Sequence, residues 1–192
     1  MSDRKEQIKQ WLDGLGYKNY SLEIASEDAS FRRYFRLKQG DESWIVMDAP
    51  PEKESCDAFV KIAQKLTAIR LSAPEIIHEN HQRGFLVLTD FGDESYLQAL
   101  KPENANSLYG DAKSAILQMQ TRINADDLPE YDATLLRQEM GLFKEWFLEK
   151  LLGIELNDNQ LGLWKMTVDT LVQSALEQPQ VFVHRDFHSR NL

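Results

Sequence analysis

The sequence predicts an α+β fold, with a strand-rich first half built around one helix and a helical second half. Two observations carry this. Five short apolar runs bounded by turn residues lie before residue 90, and long apolar stripes at helical spacing follow it. The segment Asp90-Phe91-Gly92-Asp93 marks the change.

The elements follow in order. Asp3 to Leu15 sets Ile8, Trp11, Leu12 and Leu15 on one helical face, with Asp3 and Glu6 spaced as a capping box and Gly14 and Gly16 as a stop. Tyr20, Leu22 and Ile24 alternate as a strand, and the turn Glu27-Asp28-Ala29 leads into the alternating run Phe31 to Leu37. The turn Lys38-Gln39-Gly40-Asp41 returns the chain through Trp44-Ile45-Val46-Met47. Pro50-Pro51 ends that strand because neither proline can donate to a ladder. From Ser55 to about Arg70, Phe59, Ile62, Ala63, Leu66 and Ile69 form one apolar stripe, enough to cover one face of a sheet. Strands Glu75 to His78 and Phe85 to Thr89, joined around Gly84, complete a lobe over residues 1–90. Residues 91–192 then read as a mainly helical, incomplete lobe. Its stripes run through Ala105 to Met119, Leu135 to Phe147 and Leu161 to Ala175, and Val181-Phe182-Val183 reads as a short strand.

Composition narrows the function classes. The chain has 192 residues, 42% of them hydrophobic, which is long enough to bury a core. Its 22 Lys and Arg against 31 Asp and Glu give a net charge of −9, so it lacks the basic footprint of a nucleic-acid partner. Cys56 is the single cysteine and cannot form an intrachain disulfide. The start Met1-Ser2-Asp3-Arg4-Lys5-Glu6 carries no apolar leader, so a cytoplasmic address is expected. The longest apolar runs fall far short of the roughly 20 residues that span a bilayer, so no membrane partner is expected.

The chemistry concentrates in the last nine residues. His184-Arg185-Asp186-Phe187-His188-Ser189-Arg190-Asn191 has the spacing H-R-D, four residues, N of a kinase catalytic loop. An aspartate in a tight loop can orient a substrate hydroxyl and take its proton, and an asparagine five residues on can offer its amide oxygen to Mg²⁺. The plainer alternative makes His184 and Asp186 turn and cap residues. Asp90-Phe91-Gly92 spells a kinase metal-binding triplet, but it lies upstream of the loop where that triplet would lie downstream, and Asp90 reads as structural. Met140, Phe143, Trp146 and Phe147 read as a core stripe rather than a sugar platform. His78 and His81 sit in a polar turn, and the four histidines show no metal-ligand spacing, so no zinc site is expected. Cys56, near a helix start with no base evident beside it, reads as inert.

Five stretches carry a resemblance. They are Asp28 to Arg36, Val46 to Pro51, Leu88 to Asp93, Arg137 to Phe147 and the loop at His184 to Asn191. With these the chain resembles the aminoglycoside phosphotransferase family of protein-kinase-like enzymes, most closely its bacterial branch of N-acetylmuramate and N-acetylglucosamine kinases. The resemblance implies a two-lobe kinase-like fold that uses ATP and Mg²⁺. A small-molecule sugar would be phosphorylated at its anomeric hydroxyl during cell-wall recycling. By resemblance, Asp186 is catalytic and Asn191 binds the metal. Ser30, Phe31, Arg32 and Arg33 lie over the nucleotide phosphates in place of a glycine-rich loop, and Leu88, Thr89 and Asp90 meet the adenine through their backbone. The family's strand lysine falls at Met47 or Asp48, and its helix glutamate near Phe59, so the usual ion pair is not visible in the sequence.

The chain ends at Leu192, one residue past Asn191, and the family's downstream metal-binding aspartate does not appear. A kinase incomplete at its C-terminus is therefore expected. Two alternatives stand beside the sugar-kinase reading: a noncatalytic nucleotide-binding or interaction module, and a kinase of another small-molecule alcohol.

Overall fold

The computed structural model describes residues 2–27 and 31–192. Helix α1 (Ser2–Gly14) leads into β1 (Ser21–Glu27), β2 (Arg33–Gln39) and β3 (Glu42–Asp48), followed by α2 (Asp57–Ala68), β4 (Ile76–Asn80) and β5 (Phe85–Thr89). The five strands make one antiparallel sheet in the order β1-β2-β3-β5-β4. This is the α+β fold that the sequence predicts. β2 and β3 pair without interruption from Arg33 opposite Asp48 to Gln39 opposite Glu42, around the turn at Gly40.

The two-residue period sorts the strand side chains onto two covered faces. On one, Ile8 and Leu12 of α1 pack against Phe35, Leu37, Val46, Phe85 and Val87. On the other, Val60 of α2 and the preceding Cys56 pack against Met47, Leu86 and Leu88. Each such side chain, fully buried, contributes about 1.5–3 kcal/mol by leaving water.

One charge breaks this apolar layering. Asp48 shares the α1 face with Val46 and is fully buried. Arg4 of α1 and Arg33 of β2 both clamp it, each placing its Nε 3.1 Å from a different carboxylate oxygen and adding an Nη2 contact. Arg4 also donates 2.8 Å to the carbonyl of Arg83, and its guanidinium lies 4.6 Å over the Phe85 ring. Desolvating a carboxylate costs several kcal/mol unless partners of this quality compensate it.

Past the sheet come α3 (Tyr96–Ala99) and α4 (Ala105–Arg122), then α5 (Ala133–Leu142), a π-helix (Phe143–Leu151) and α6 (Asp158–Leu176). By contact the chain gathers into two compact units, residues 1–123 with 183–192, and residues 124–182. The lobe boundary expected at residue 90 falls inside the first of these. α3 is too short to leave a stripe in the sequence. Val181-Phe182-Val183, expected as a strand, pairs with no strand among the described residues.

In the second unit, the stripe expected to run on as α-helix winds more widely from Phe143. Ion pairs Lys144–Glu149 at 2.5 Å and Glu145–Lys150 at 2.8 Å join residues five apart. That spacing brings side chains together in a π-helix and separates them on an α-helix. The aromatic stripe is not the closed core expected of it. Phe143 stacks on Phe147 and Trp164, yet Trp146 is 57% exposed with Lys150 3.5 Å over its ring.

Replacing Asp48 by Ala should lower stability by about 3–5 kcal/mol, the cost of breaking a buried ion cluster, read as a shift in urea midpoint. Arg137→Ala, which removes a half-exposed pair with Asp169, should cost under about 1 kcal/mol in the same assay. Gly84 offers a second check. At φ +70° its carbonyl accepts the Ala49 N–H at 2.8 Å, and a Cβ there would stand 1.8 Å from the Ala49 oxygen. Gly84→Ala should therefore separate β3 from the β4–β5 turn and lower the thermal midpoint more than any alanine placed at the open Gly14.

Candidate active site

Three segments of the first unit hold the residues singled out by sequence: the turn into β2, the exit from β5, and the loop at 184–191. Ser30 lies outside the described residues. Phe31 is exposed, with Lys53 Nζ 5.4 Å over its ring. Arg32 and Arg33 diverge to opposite faces of the sheet. Arg32 pairs with Glu54 and lies 5.7 Å over the Phe59 ring on the α2 face, whereas Arg33 turns to Asp48 on the α1 face. Arg33 meets that carboxylate through Nε and Nη2.

The strand geometry resolves where a strand cation would stand. Met47 packs in the apolar cluster under α2, beside Phe59, while Asp48 points to the other face. At these positions an apolar contact lies on the α2 side and the ionic clamp on the α1 side.

At the exit from β5, Leu88 is buried opposite Ile45, and Thr89 pairs with Trp44. Thr89 also takes an N–H bond from Glu75 at 3.1 Å on its hydroxyl and returns its own N–H to the Glu75 carbonyl at 3.0 Å. The Asp90 carboxylate is gripped by Arg36 of β2 at 2.6 and 3.0 Å and accepts the Gly92 N–H at 2.9 Å. Arg36 continues to Asp93 at 2.5 Å and to the Gly92 carbonyl at 3.2 Å. Burial pushes the Asp90 pKa up, but the Arg36 and Gly92 bonds outweigh it and hold the carboxyl below its usual range. The same bonds raise Arg36. This clasp escaped the sequence reading, although an arginine on a polar face of β2 and an aspartate closing a buried strand were its visible signals.

The segment so held leads to α3, whose first N–H groups hold the loop. Tyr96 donates to the Leu192 carbonyl and Leu97 to the Ser189 carbonyl, both at 2.8 Å. Within the loop, Asn191 Nδ2 donates to the Asp186 carbonyl at 3.0 Å and to its Oδ2 at 2.8 Å. His188 Nε2 stands 3.1 Å from Asp186 Oδ1, and the Arg190 N–H donates to His188 Nδ1 at 3.2 Å. Arg185 sits at φ +72°, a left-handed conformation that makes the loop turn sharply at Asp186. Burial lowers the His184 pKa and favours its neutral form, with the ring edge-on to Phe187 at 5.4 Å. Because Asn191 donates to Asp186 through its amide nitrogen, its Oδ1 is the end of the side chain with the chemistry to meet a cation, one oxygen of the several that Mg²⁺ takes.

Cys56 has a neighbour that the sequence did not reveal. His81 Nδ1 lies 3.7 Å from its thiol and 2.5 Å from Asp57 Oδ1, and His81 Nε2 is 3.3 Å from Glu79. The reading of Cys56 as remote from any base is therefore corrected: the β4–β5 turn folds back over the start of α2. Burial, then Asp57, raises the thiol pKa.

A five-stranded antiparallel lobe with this loop defines a protein-kinase-like phosphotransferase fold. Residues 21–192 match the phosphotransferase enzyme family, and the chain belongs to that family. It is 44% identical over 205 residues to an N-acetylmuramate/N-acetylglucosamine kinase of Pseudomonas aeruginosa, covering 100% of this chain and 61% of that protein. The Pseudomonas putida protein of the same name is 44% identical over 90% of this chain and 51% of its own length. That of Neisseria meningitidis is 40% identical over 98% of this chain and 58% of its own. The chain thus spans between half and two thirds of these relatives. The crystal structure of an aminoglycoside-3'-phosphotransferase of type VIII superposes with a TM-score of 0.55 at 13% identity, over 98% of this chain and 70% of that one. Among the described residues, no helix is long and apolar enough to cross a membrane.

The Asp90 clasp has a pH signature. With the folded carboxyl held below its unfolded value, its stabilisation is complete above about pH 4 and is lost as the pH falls through the folded pKa. The stability gap between the wild type and Asp90→Asn, followed by thermal melts, should therefore be constant near neutrality and close in acid. A gap unchanged down to pH 2 would contradict the clasp.

Proposed function

We propose that the protein is an ATP-dependent small-molecule kinase that phosphorylates the anomeric hydroxyl of an N-acetylated amino sugar, N-acetylmuramate or N-acetylglucosamine. The observation that carries it is the coupled pair Asp186 and Asn191, set in a chain 44% identical to a kinase of those sugars. On this reading the protein works in the cytoplasm, in cell-wall recycling.

The chain's residues divide the work. Asp186 remains largely exposed at its carboxylate, yet Asn191 and His188 fix its orientation. It accepts the hydroxyl proton while the sugar oxygen bonds to the γ-phosphorus and the bond to the leaving ADP oxygen breaks. Asn191 Oδ1 would hold Mg²⁺, which when bound neutralises phosphate charge. Neutral His184 adds no competing positive charge beside the loop. Backbone groups at Leu88, Thr89 and Asp90 would meet the adenine, so the Arg36 clasp would fix the adenine edge and the catalytic loop together. Ser30, Phe31 and Arg32 would face the phosphates, whereas Arg33, assigned with them by sequence, turns to the other face of the sheet, is spent on Asp48, and would act by positioning the turn. Catalysis of this kind is mostly positioning and charge neutralisation.

A second reading, a nucleotide-binding module that transfers nothing, draws on the missing strand lysine. ATP with Mg²⁺ and each sugar separates the two. Asp186→Asn should lower turnover by about 10²–10⁴ while ATP still raises the thermal midpoint. Near-normal turnover in that variant would remove Asp186 from its role. An ATP-induced thermal shift with no sugar phosphate formed by the wild type would favour the binding module.

A further inference from the structure

The start of α2 and the β4–β5 turn bring together a set of side chains that phosphate transfer does not use. Cys56 Sγ, Asp57 Oδ1 and His81 Nδ1 all lie within 4.8 Å of one another, a convergence of three different metal-ligand types. We infer that Cys56, Asp57 and His81 form a binding site for a zinc-class divalent cation, a clasp between the start of α2 and the β4–β5 turn.

Four features carry the inference. The ligand types are those of zinc, which takes thiolate, imidazole and carboxylate together and leaves a fourth tetrahedral position for water. The spacing is suitable: usual Zn–S and Zn–N bond lengths put S and N at roughly 3.6 Å across a tetrahedral edge, and Cys56 Sγ stands 3.7 Å from His81 Nδ1. The second shell is present as well. A metal-bound imidazole commonly gives its other N–H to a carboxylate, and His81 Nε2 faces Glu79 Oε2 at 3.3 Å. Finally, the thiol is 98% buried and still directed at the histidine, while Asp57 and His81 are exposed enough to open their 2.5 Å hydrogen bond around an ion. The Ser55 hydroxyl, which accepts the Asp57 N–H at 3.0 Å, fixes the backbone where two of the ligands begin. Binding would release the thiol proton to solvent and leave a thiolate on the metal.

Cobalt is the probe, because thiolate ligation gives Co²⁺ a near-ultraviolet charge-transfer band, and Cys56 is the only cysteine that can produce it. Titrating Co²⁺ into the reduced full chain should raise that band to saturation at one equivalent, and Zn²⁺ should displace it. Glu79→Gln should weaken the affinity about 10–100-fold without abolishing the band. His81→Ala, at an exposed side chain that the fold can spare, should abolish saturation at one equivalent. Zn²⁺ should also raise the thermal midpoint of the wild type and leave that of Cys56→Ser unmoved. Should Cys56→Ser fail to fold, His81→Ala decides alone. Absence of the band in the wild type, or a band of equal affinity in His81→Ala, would overturn the site.

Discussion

The buried carboxylate of Asp48 is the constraint around which the first unit is arranged. A carboxylate with no exposed surface at the end of a central strand is tolerable only if cations reach it from both sides. Arg4 reaches it from α1 and Arg33 from β2, and Arg4 extends to the Arg83 carbonyl in the β4–β5 turn. One desolvated charge thereby ties together the leading helix, two strands and a turn that are distant in sequence. The apolar contacts around it are individually comparable in energy but not directional. The clamp supplies direction: Arg33 and Asp48 are cross-strand partners in the β2–β3 register, and a one-residue slip would put them on opposite faces.

A second ionic link carries that order to the chemistry. Arg36 lies on β2 three residues beyond Arg33, and its guanidinium gathers Asp90, Gly92 and Asp93. Those residues lead directly into α3, whose opening N–H groups hold the carbonyls of Ser189 and Leu192 on either side of Asn191. The path from sheet to loop is thus a run of charge-assisted and backbone hydrogen bonds, which fix direction more tightly than side-chain packing does. It also separates the roles of two similar carboxylates. Asp90 is nearly buried and spent on a cation, whereas Asp186 is exposed and held at its edges by Asn191 and His188.

Much of this was legible in the sequence, and the parts that were not share a physical cause. Alternation and turn residues marked every strand of the sheet to within a few residues, because period and burial are local properties. The loop at His184 to Asn191 was legible because its pattern lies within eight adjacent positions. Arg4 with Asp48, Arg36 with Asp90, and His81 with Cys56 were hidden, being 44, 54 and 25 residues apart in the chain and joined only by tertiary folding. The π-helix was concealed for another reason. Its defining ion pairs sit five residues apart, between the spacings that an α-helical reading inspects.

The division of β3 into an apolar face at Met47 and a charged one at Asp48 bears on how α2 is held. A lysine at Met47 paired to α2 would fasten the middle of the helix to the sheet. With Met47 in an apolar cluster, that part of the contact is non-directional and can slide. Two directional bonds lie at the beginning of α2, where Arg32 meets Glu54 just ahead of the helix and His81 meets Asp57 in its first turn. The second depends on exposed charges, which are individually weak and screened by salt, whereas Arg32 and Glu54 are mostly covered. The beginning of α2 is therefore a place where an added bond would strengthen its tie to the β4–β5 turn. A cation shared by Cys56, Asp57 and His81 acts at that point, converting a screened surface pair into a coordinated joint between α2 and the turn that Gly84 closes.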